Sequence, residues 1–454
     1  MSQHHGFDRR SFLKSAGATA FLGSVGAGVP ALTAAGAAPA VPVNGKYDFD
    51  TVYNRVGSDC VKWDQQIRTF GKDTIAVGMG IADMDFRAAP VITKALLDRI
   101  QHENWGYLDM PHSYVESITS WYKRRYGVEI NPDLLLHAPG VHPAVISALR
   151  AFSPPGTRVL LQTPTYNGFY GDISAVGCKP EESPLKLVNG RYQMDFEDLE
   201  RRISHDTNTL ILCNPQNPTG NCWSREDLTT VGEICLRRRV VVLADEIHHD
   251  FVTKGNKYTP FASLGNEAIV RNSISFSSAS KSFSLAAAKA GYMFSTNPDY
   301  IARVKAAGHK QDINTLGMVA CRAAYNEGED WLDQVVAYID GNHEFVESYV
   351  RANLPLVKVV KPQGTYLSWL DVSQVIDKID ATRLAAEVNR NNPAAKMTPS
   401  GIVERHFVKH AKVHMNAGAG YGAGGEGRMR MNIATSRKLV ELALNNIAGA
   451  LKNV

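Results

Sequence analysis

The sequence is short of the features that mark membrane-anchored, nucleic-acid-binding or disulfide-built proteins. Its six cysteines, Cys60, Cys178, Cys213, Cys222, Cys235 and Cys321, include no Cys-x-x-Cys pair and no regular spacing, which argues against a zinc site and a disulfide framework. A net charge of +4 over 454 residues leaves no basic surplus for a nucleic-acid partner. There is no internal repeat. The one long uncharged stretch, Ser15 to Val43, is too rich in Gly and Ala, and too broken by Pro30, to serve as a stable membrane anchor. What is there, 44% hydrophobic and 21% charged residues, suits a globular chain able to bury a large core in two or three domains.

The N-terminus has its own character. Asp8-Arg9-Arg10-Ser11-Phe12-Leu13-Lys14 precedes the Ala/Gly-rich stretch, and small residues follow at Ala35-Gly36-Ala37 and Ala38-Pro39-Ala40. This resembles a twin-arginine (Tat) export signal, which implies a folded protein delivered to the periplasm or outside the cell, and a cytoplasmic one if the signal is not used. Residues 1–40 are therefore set apart from the fold.

Beyond Val43, helical and strand-like stretches alternate. Pro90 to Gln101 and Ser113 to Tyr126 carry the apolar spacing of amphipathic helices. Arg158 to Gln162, Thr209 to Cys213, Val240 to Ala244 and Ile269 to Phe276 are short apolar runs closed by polar or turn residues, with helical stretches such as Glu226 to Arg238 between them. The pattern predicts an α/β fold with a mainly parallel central sheet. Ligands of such sheets bind beyond the carboxyl ends of the strands, so the residues just after each run matter most.

Three of those strand ends carry chemistry. Ser277-Ser278-Ala279-Ser280-Lys281 places one lysine after a run of small hydroxyl residues. A buried lysine keeps part of its amine uncharged and able to join an aldehyde, and the Ser278 and Ser280 hydroxyls offer a phosphate grip, the equipment of a pyridoxal 5'-phosphate enzyme. Ser-x-x-Lys also occurs in serine acylases. Asn214-Pro215-Gln216-Asn217-Pro218-Thr219-Gly220 is a turn whose Asn217 can present an amide to a phenolic oxygen, or is a plain turn. Asp245, in Ala244-Asp245-Glu246-Ile247-His248, ends a buried strand, where a carboxylate needs either a cation, such as a protonated pyridine nitrogen, or a helix to cap.

Asn217, Asp245 and Lys281 lie 28 and 36 residues apart, in an order and spacing that resemble the fold-type I pyridoxal-phosphate enzymes of the aspartate aminotransferase superfamily. Further motifs narrow the resemblance to the MalY/PatB group of cystathionine β-lyase-like carbon–sulfur lyases, from about residue 47 to the C-terminus. They are Arg55-Val-Gly-Ser-Asp-Cys-Val-Lys-Trp-Asp64, Ile81-Ala-Asp-Met-Asp-Phe86, Trp105-Gly-Tyr107, Pro139-Gly-Val-His-Pro143, Thr259-Pro-Phe-Ala-Ser263, Gly364-Thr-Tyr-Leu-Ser-Trp-Leu-Asp371 and Arg430-Met-Asn-Ile-Ala-Thr-Ser-Arg437. The resemblance implies a large domain over residues 86–325 and a smaller α+β domain built from 41–85 and 326–454.

It also implies roles. Lys281 is the Schiff-base lysine and the base for the Cα proton. Asp245 partners the pyridine nitrogen, Asn217 donates to the ring oxygen, and Tyr166 stacks on the ring. Gly140 and Val141, with Ser278 and Ser280, form the phosphate cup. Tyr107 reaches the phosphate of a neighbouring subunit, which implies a homodimer with shared sites. Arg430 clamps the carboxylate of a small amino-acid substrate, and Asp83 lies near the substrate mouth. His248 stands where aspartate aminotransferases carry a tyrosine, and Lys289 where the wider superfamily often has an arginine, a point charge for the phosphate. Met79-Gly80-Ile81 replaces the bulkier Leu-Trp-Val of typical lyases. The implied activity is β-elimination from cystathionine or a related cysteine S-conjugate; the same residues also serve an aminotransferase. A noncatalytic regulator that binds the cofactor is a third reading.

Overall fold

Strands that are apolar at every position need cover on both faces, and the central sheet has it. The computed structural model describes residues 42–452; the export-signal reading of residues 1–40 lies outside them. Strands β1 (Leu135–Ala138), β2 (Arg158–Thr163), β3 (Lys179–Pro184), β4 (Thr207–Cys213), β5 (Val241–Asp245), β6 (Ser273–Ser277) and β7 (Gly291–Phe294) form one sheet in the order β1-β7-β6-β5-β4-β2-β3. Neighbours from β6 to β3 are parallel, and β7 runs antiparallel to β6 and β1. Alternate residues feed opposite cores. Val159, Leu161, Ile211 and Leu243 enter one; Leu160, Leu210, Leu212 and Val242 enter the other.

Helices α1 (Pro90–Ile100), α2 (His112–Tyr126), α3 (Val141–Phe152), α4 (Gly168–Ala175), α5 (Arg225–Arg238), α6 (Ala279–Ser282), α7 (Thr315–Glu327) and α8 (Glu329–Asn353) accompany the sheet. The start of α5 is fixed by a capping box, in which the Ser224 side chain takes the Asp227 N–H and the Asp227 carboxylate takes the Ser224 N–H. Its end is a left-handed residue, Arg239. The apolar run from Ile269 is the one stretch where the strand reading gives way. Asn266 accepts from the Ala268 and Ile269 N–H groups and starts a helical turn, Glu267–Arg271, so β6 begins only at Ser273. An apolar run without periodicity does not distinguish the two conformations; the capping asparagine does.

A second, antiparallel sheet joins β8 (Lys358–Val360), β9 (Leu367–Asp371), β10 (Asn416–Ala417) and β11 (Arg428–Asn432) in the order β8-β9-β11-β10. Between the sheets runs the extended segment 81–85, tied down from several sides. Asn432 Nδ2 donates to the carbonyls of Ile81 and Asp83, at 2.5 and 2.7 Å, and Asp85 N donates to Ala434 O at 2.9 Å. Beneath it, Lys62, 0% exposed, puts Nζ 2.7 Å from Asp85 Oδ2 and 2.9 Å from Asp83 O. Trp63 Nε1 donates to Asp85 Oδ1 at 3.0 Å. Two of the sequence motifs are thus halves of one buried ionic cluster.

Removing one partner of a buried, hydrogen-bonded ion pair leaves an uncompensated charge, at a cost of about 3–5 kcal/mol. Lys62→Met, which keeps most of the side-chain volume but strands the Asp85 carboxylate, is therefore expected to lower the free energy of unfolding by about that amount. Chemical denaturation followed by far-UV circular dichroism measures it; a loss under about 1 kcal/mol would show that the pair is not buried as described.

Candidate active site

The carboxyl ends of β4, β5 and β6 and the start of α3 surround a cavity of about 630 Å³. Tyr166, Asn217, Asp245, His248 and Lys281 are all among its lining residues. So are Gly140, Val141, Ser278, Ser280 and Lys289. Each strand delivers its residue by the same device, an apolar run that ends where the polar side chain begins.

Asp245 is the last residue of β5 and 4% exposed. Its only protein hydrogen bond to the side chain among the described residues is from Ile247 N to Oδ1, at 3.1 Å. Burial pushes its pKa up to about 6, opposed by the Ile247 N–H and by the positive charges of His142 and Lys281. Lys281, on the short helix α6, donates from Nζ to Ala82 O at 2.8 Å. Burial, and then Arg430, bring its pKa down to about 8, against the carboxylates of Asp83 and Asp245. A lysine at that value supplies free amine near neutral pH.

Asn217 accepts from Arg430 Nη1 through Oδ1 at 3.1 Å, and its Nδ2 has no partner among the described residues. Arg430, on β11 and 2% exposed, also donates from Nη2 to Gly80 O at 2.7 Å and lies over the Tyr421 ring, 5.1 Å from its centroid. Its Nε is buried without an acceptor, and no carboxylate lies within ion-pair distance among the described residues. A buried guanidinium in that state calls for an anion. Arg430 does not line the cavity; it sits behind Asn217.

His248 faces the cavity with Nδ1 buried and without a partner among the described residues. Burial first, then the positive charges of Lys281 and Arg430, hold its pKa well below the usual value, so the ring is neutral. At the start of α3, Gly140 has φ of +151°, open to glycine but not to residues with a Cβ. The next two residues, Val141 and His142, are in the first turn, where N–H groups lack helical partners. Lys289 brings an ammonium to the same cavity and has no carboxylate partner among the described residues.

The remaining sequence expectations meet different surroundings. Ser278 Oγ donates to Ala290 O at 2.6 Å and accepts from Ser280 N at 3.0 Å; it caps α6 and has no hydroxyl hydrogen left for a phosphate. The Ser280 hydroxyl makes no bond among the described residues. Asp83 is paired with Arg55 Nη1 at 2.7 Å and accepts from Ser284 Oγ at 2.5 Å, so its carboxylate holds the segment in place and does not line the cavity. Tyr107 is fully exposed and outside the cavity of its own chain. Gly80 has no room for a side chain, since a Cβ there would run into Asn416 and the His414 ring.

Sequence reasoning overlooked four contributors. The Ala82 carbonyl takes both Lys281 Nζ and Tyr366 Oη, the latter at 3.0 Å. His142 and Asp172 line the cavity and bond to each other at 2.7 Å. Ala82, His142 and Tyr366 stand inside the lyase-like motifs with no local sign of their contacts, and Asp172 shows only as a lone charge in the otherwise uncharged α4.

Taken together, the cavity offers an unpaired carboxylate, a partly neutral amine, open amide and imidazole groups, and first-turn N–H groups beside an unpaired ammonium. That set fits a phosphorylated pyridine aldehyde. Comparison with known proteins agrees. Cystathionine beta-lyase PatB of Bacillus subtilis is 37% identical over 410 residues, covering 89% of this chain and all of the relative. Protein MalY of Escherichia coli is 27% identical, over 90% of this chain and all of that one. Among solved structures, cystalysin from Treponema denticola, which contains a pyridoxal 5'-phosphate cofactor, superposes with a TM-score of 0.81 at 28% identity, covering 90% of this chain and 99% of that one. The pyridoxal-phosphate-bound C-S lyase of Staphylococcus hominis gives 0.80 at 27%, covering 89% and 99%. Residues 74–447 match the model for aminotransferase class I and II, and the chain belongs to that family.

Proposed function

We propose that this protein is a pyridoxal 5'-phosphate-dependent carbon–sulfur β-lyase. It takes cystathionine or a related cysteine S-conjugate and water to pyruvate, ammonia and a thiol. The observation that carries the reading is the convergence of Lys281, Asp245 and Asn217 on one cavity in a chain that matches lyases along nearly its whole folded length. When bound, the cofactor supplies a sink for the electron pair left at the substrate Cα once its proton has gone.

The protein's own groups do the rest. Asp245 would hold the proton on the pyridine nitrogen; its burial without a cation is relieved by that contact. Asn217 Nδ2 would donate to the ring oxygen. The N–H groups at the start of α3, with Ser280 and Lys289, would hold the phosphate. Arg430 would bind the substrate carboxylate through its planar fork, which would answer the uncompensated charge of that buried guanidinium. Lys281 would anchor the cofactor and, freed by the substrate amine, take the Cα proton; a pKa of about 8 suits a base working near neutrality. Elimination then expels the thiolate from Cβ.

Tyr107 enters as a residue given to a second copy of the chain. It stands fully exposed beside other uncovered apolar side chains, Leu97, Ile100 and Trp105, which supports a homodimer whose sites are completed across the interface. Mixing Tyr107→Ala with Lys281→Ala subunits is then expected to restore activity that neither variant shows by itself, because one site of each hybrid keeps both residues. Absence of any recovery in a mixture shown to exchange subunits would refute sharing.

The activity itself is tested by incubating the protein with L-cystathionine, with and without 2-oxoglutarate. Pyruvate and free thiol in equal amounts, independent of the oxo acid, are expected, and Lys281→Ala is expected to lose about a thousandfold or more in rate. Oxo-acid-dependent glutamate formation in place of thiol release would overturn the lyase reading for an aminotransferase. Asp245 adds a stability prediction. Its pKa in the cofactor-free fold is raised from the usual 3.8 to about 6, so this group's contribution is full below 3.8 and is lost as pH rises through 6. Asp245→Asn removes that loss. The cofactor-free variant is expected to melt at a higher temperature than the cofactor-free parent above pH 6 and to match it at pH 4, while binding pyridoxal phosphate more weakly; an unchanged difference across that range would refute the assignment.

A further inference from the structure

Next to the groups assigned above, Tyr166 is the end of a chain of three side chains, and the other two have no role yet. Asp172, in the second half of α4, is 5% exposed, and its Oδ2 is 2.7 Å from Nδ1 of His142. The other ring nitrogen of His142, Nε2, is 3.2 Å from Tyr166 Oη. All three residues line the cavity. The His142 and Tyr166 rings lie 5.4 Å apart at 45°, and Phe169 braces the far side of Tyr166 edge-on at 5.5 Å. Room for this packing comes from Gly168, where a Cβ would stand 2.5 Å from both the His142 and Tyr166 rings.

We infer that Asp172 and His142 are a positioning pair. Asp172 fixes the imidazole, the imidazole fixes the Tyr166 hydroxyl, and the Tyr166 ring is thereby held as a rigid wall of the cofactor cavity. The inference rests on pyridoxal phosphate occupying that cavity. A hydrogen bond at Oη stops the swing of the tyrosine ring about Cβ at its far end, where leverage is greatest. The bond to Asp172 in turn prevents the imidazole from flipping its nitrogens.

The charges around His142 raise its pKa. Asp172 raises its pKa through the hydrogen bond and its charge, and Asp245 adds to this, while burial and Lys281 oppose. The Asp172 carboxylate takes the Nδ1 hydrogen, and Nε2 meets Tyr166 Oη either as donor from the charged ring or as acceptor in the neutral one, so the link to Tyr166 holds in both states. Tyr166 is the remaining titratable neighbour.

The test uses cofactor affinity and the His142 ring, not turnover alone. Cofactor-free parent, His142→Gln, Asp172→Asn, Tyr166→Phe and the His142→Gln/Tyr166→Phe double variant are titrated with pyridoxal phosphate, and the His142 ring is followed against pH by NMR. Each single variant is expected to bind the cofactor on the order of tenfold more weakly, the worth of one charged hydrogen bond. The double variant should be no weaker than the singles, since both cut one link. Asp172→Asn should lower the pH at which the His142 ring titrates. Losses that multiply in the double variant, affinities equal to the parent, or an unmoved His142 midpoint would each overturn the pair. Tyr166→Phe removes a single oxygen, so its folding is secure even if His142→Gln does not fold. Failure of the parent itself to bind pyridoxal phosphate would instead sink the cofactor reading.

Discussion

A single backbone oxygen, that of Ala82, holds the reactive lysine in place. It accepts from Lys281 Nζ on one side and from Tyr366 Oη on the other. The choice of acceptor matters. A carboxylate there would keep the amine fully charged, and no acceptor would leave a buried donor unsatisfied; a neutral carbonyl meets the donor without locking the proton on. The oxygen is useful only if it stays still, and the segment around it is nailed down by Asn432, by Ser284 and by the buried Lys62–Asp85 pair. The ionic cluster at residues 55–85 is therefore part of the catalytic apparatus although none of its charges lines the cavity.

Around that fixed point the fold keeps charges apart that would gain from meeting. Among the described residues, Asp245 sits buried without a bonded cation and Arg430 without an anion, and the two are held on different strands from different sheets. Each bears a desolvation cost that only a ligand relieves. Cofactor and substrate thus bind where the protein is least comfortable with itself. The same logic explains why Asn217 turns its oxygen to Arg430: with that acceptor used, the amide nitrogen is left for the cavity.

Much of this was legible in the sequence because an apolar strand that ends in a polar residue declares both its own conformation and the direction of its last side chain. Asp245 belongs to that class, while Asn217 and Lys281 lie just past such strand ends, in the turn after β4 and on α6. What was not legible depends on contacts made across long separations. Nothing local distinguishes Lys62 from a solvated lysine, and only the fold brings Asp85 to it. Ser278 and Ser280 look alike in sequence; their hydroxyls differ because Ser278 occupies the cap position, where the Ala290 carbonyl and the Ser280 N–H claim it. His142 was visible within a motif, but its value depends on Asp172 and Tyr166 reaching it from the next helix and loop. Ile269 and Val270 read as strand until Asn266 is seen to cap them.

The thiols carry one more consequence. Burial raises the pKa of Cys222, Cys235 and Cys321 to about 12, and that of Cys213 well above its usual value, with Asp245 adding to the effect there. An enzyme that releases sulfhydryl products works in a bath of its own potential mixed-disulfide partners. Exchange needs an accessible thiolate, and burial disfavours the thiolate at all four, including Cys213, which is 3% exposed although it lines the cavity. These four thiols are thereby shielded from the reactivity of what the enzyme makes, and Cys60, which is partly exposed, is the thiol left open to it.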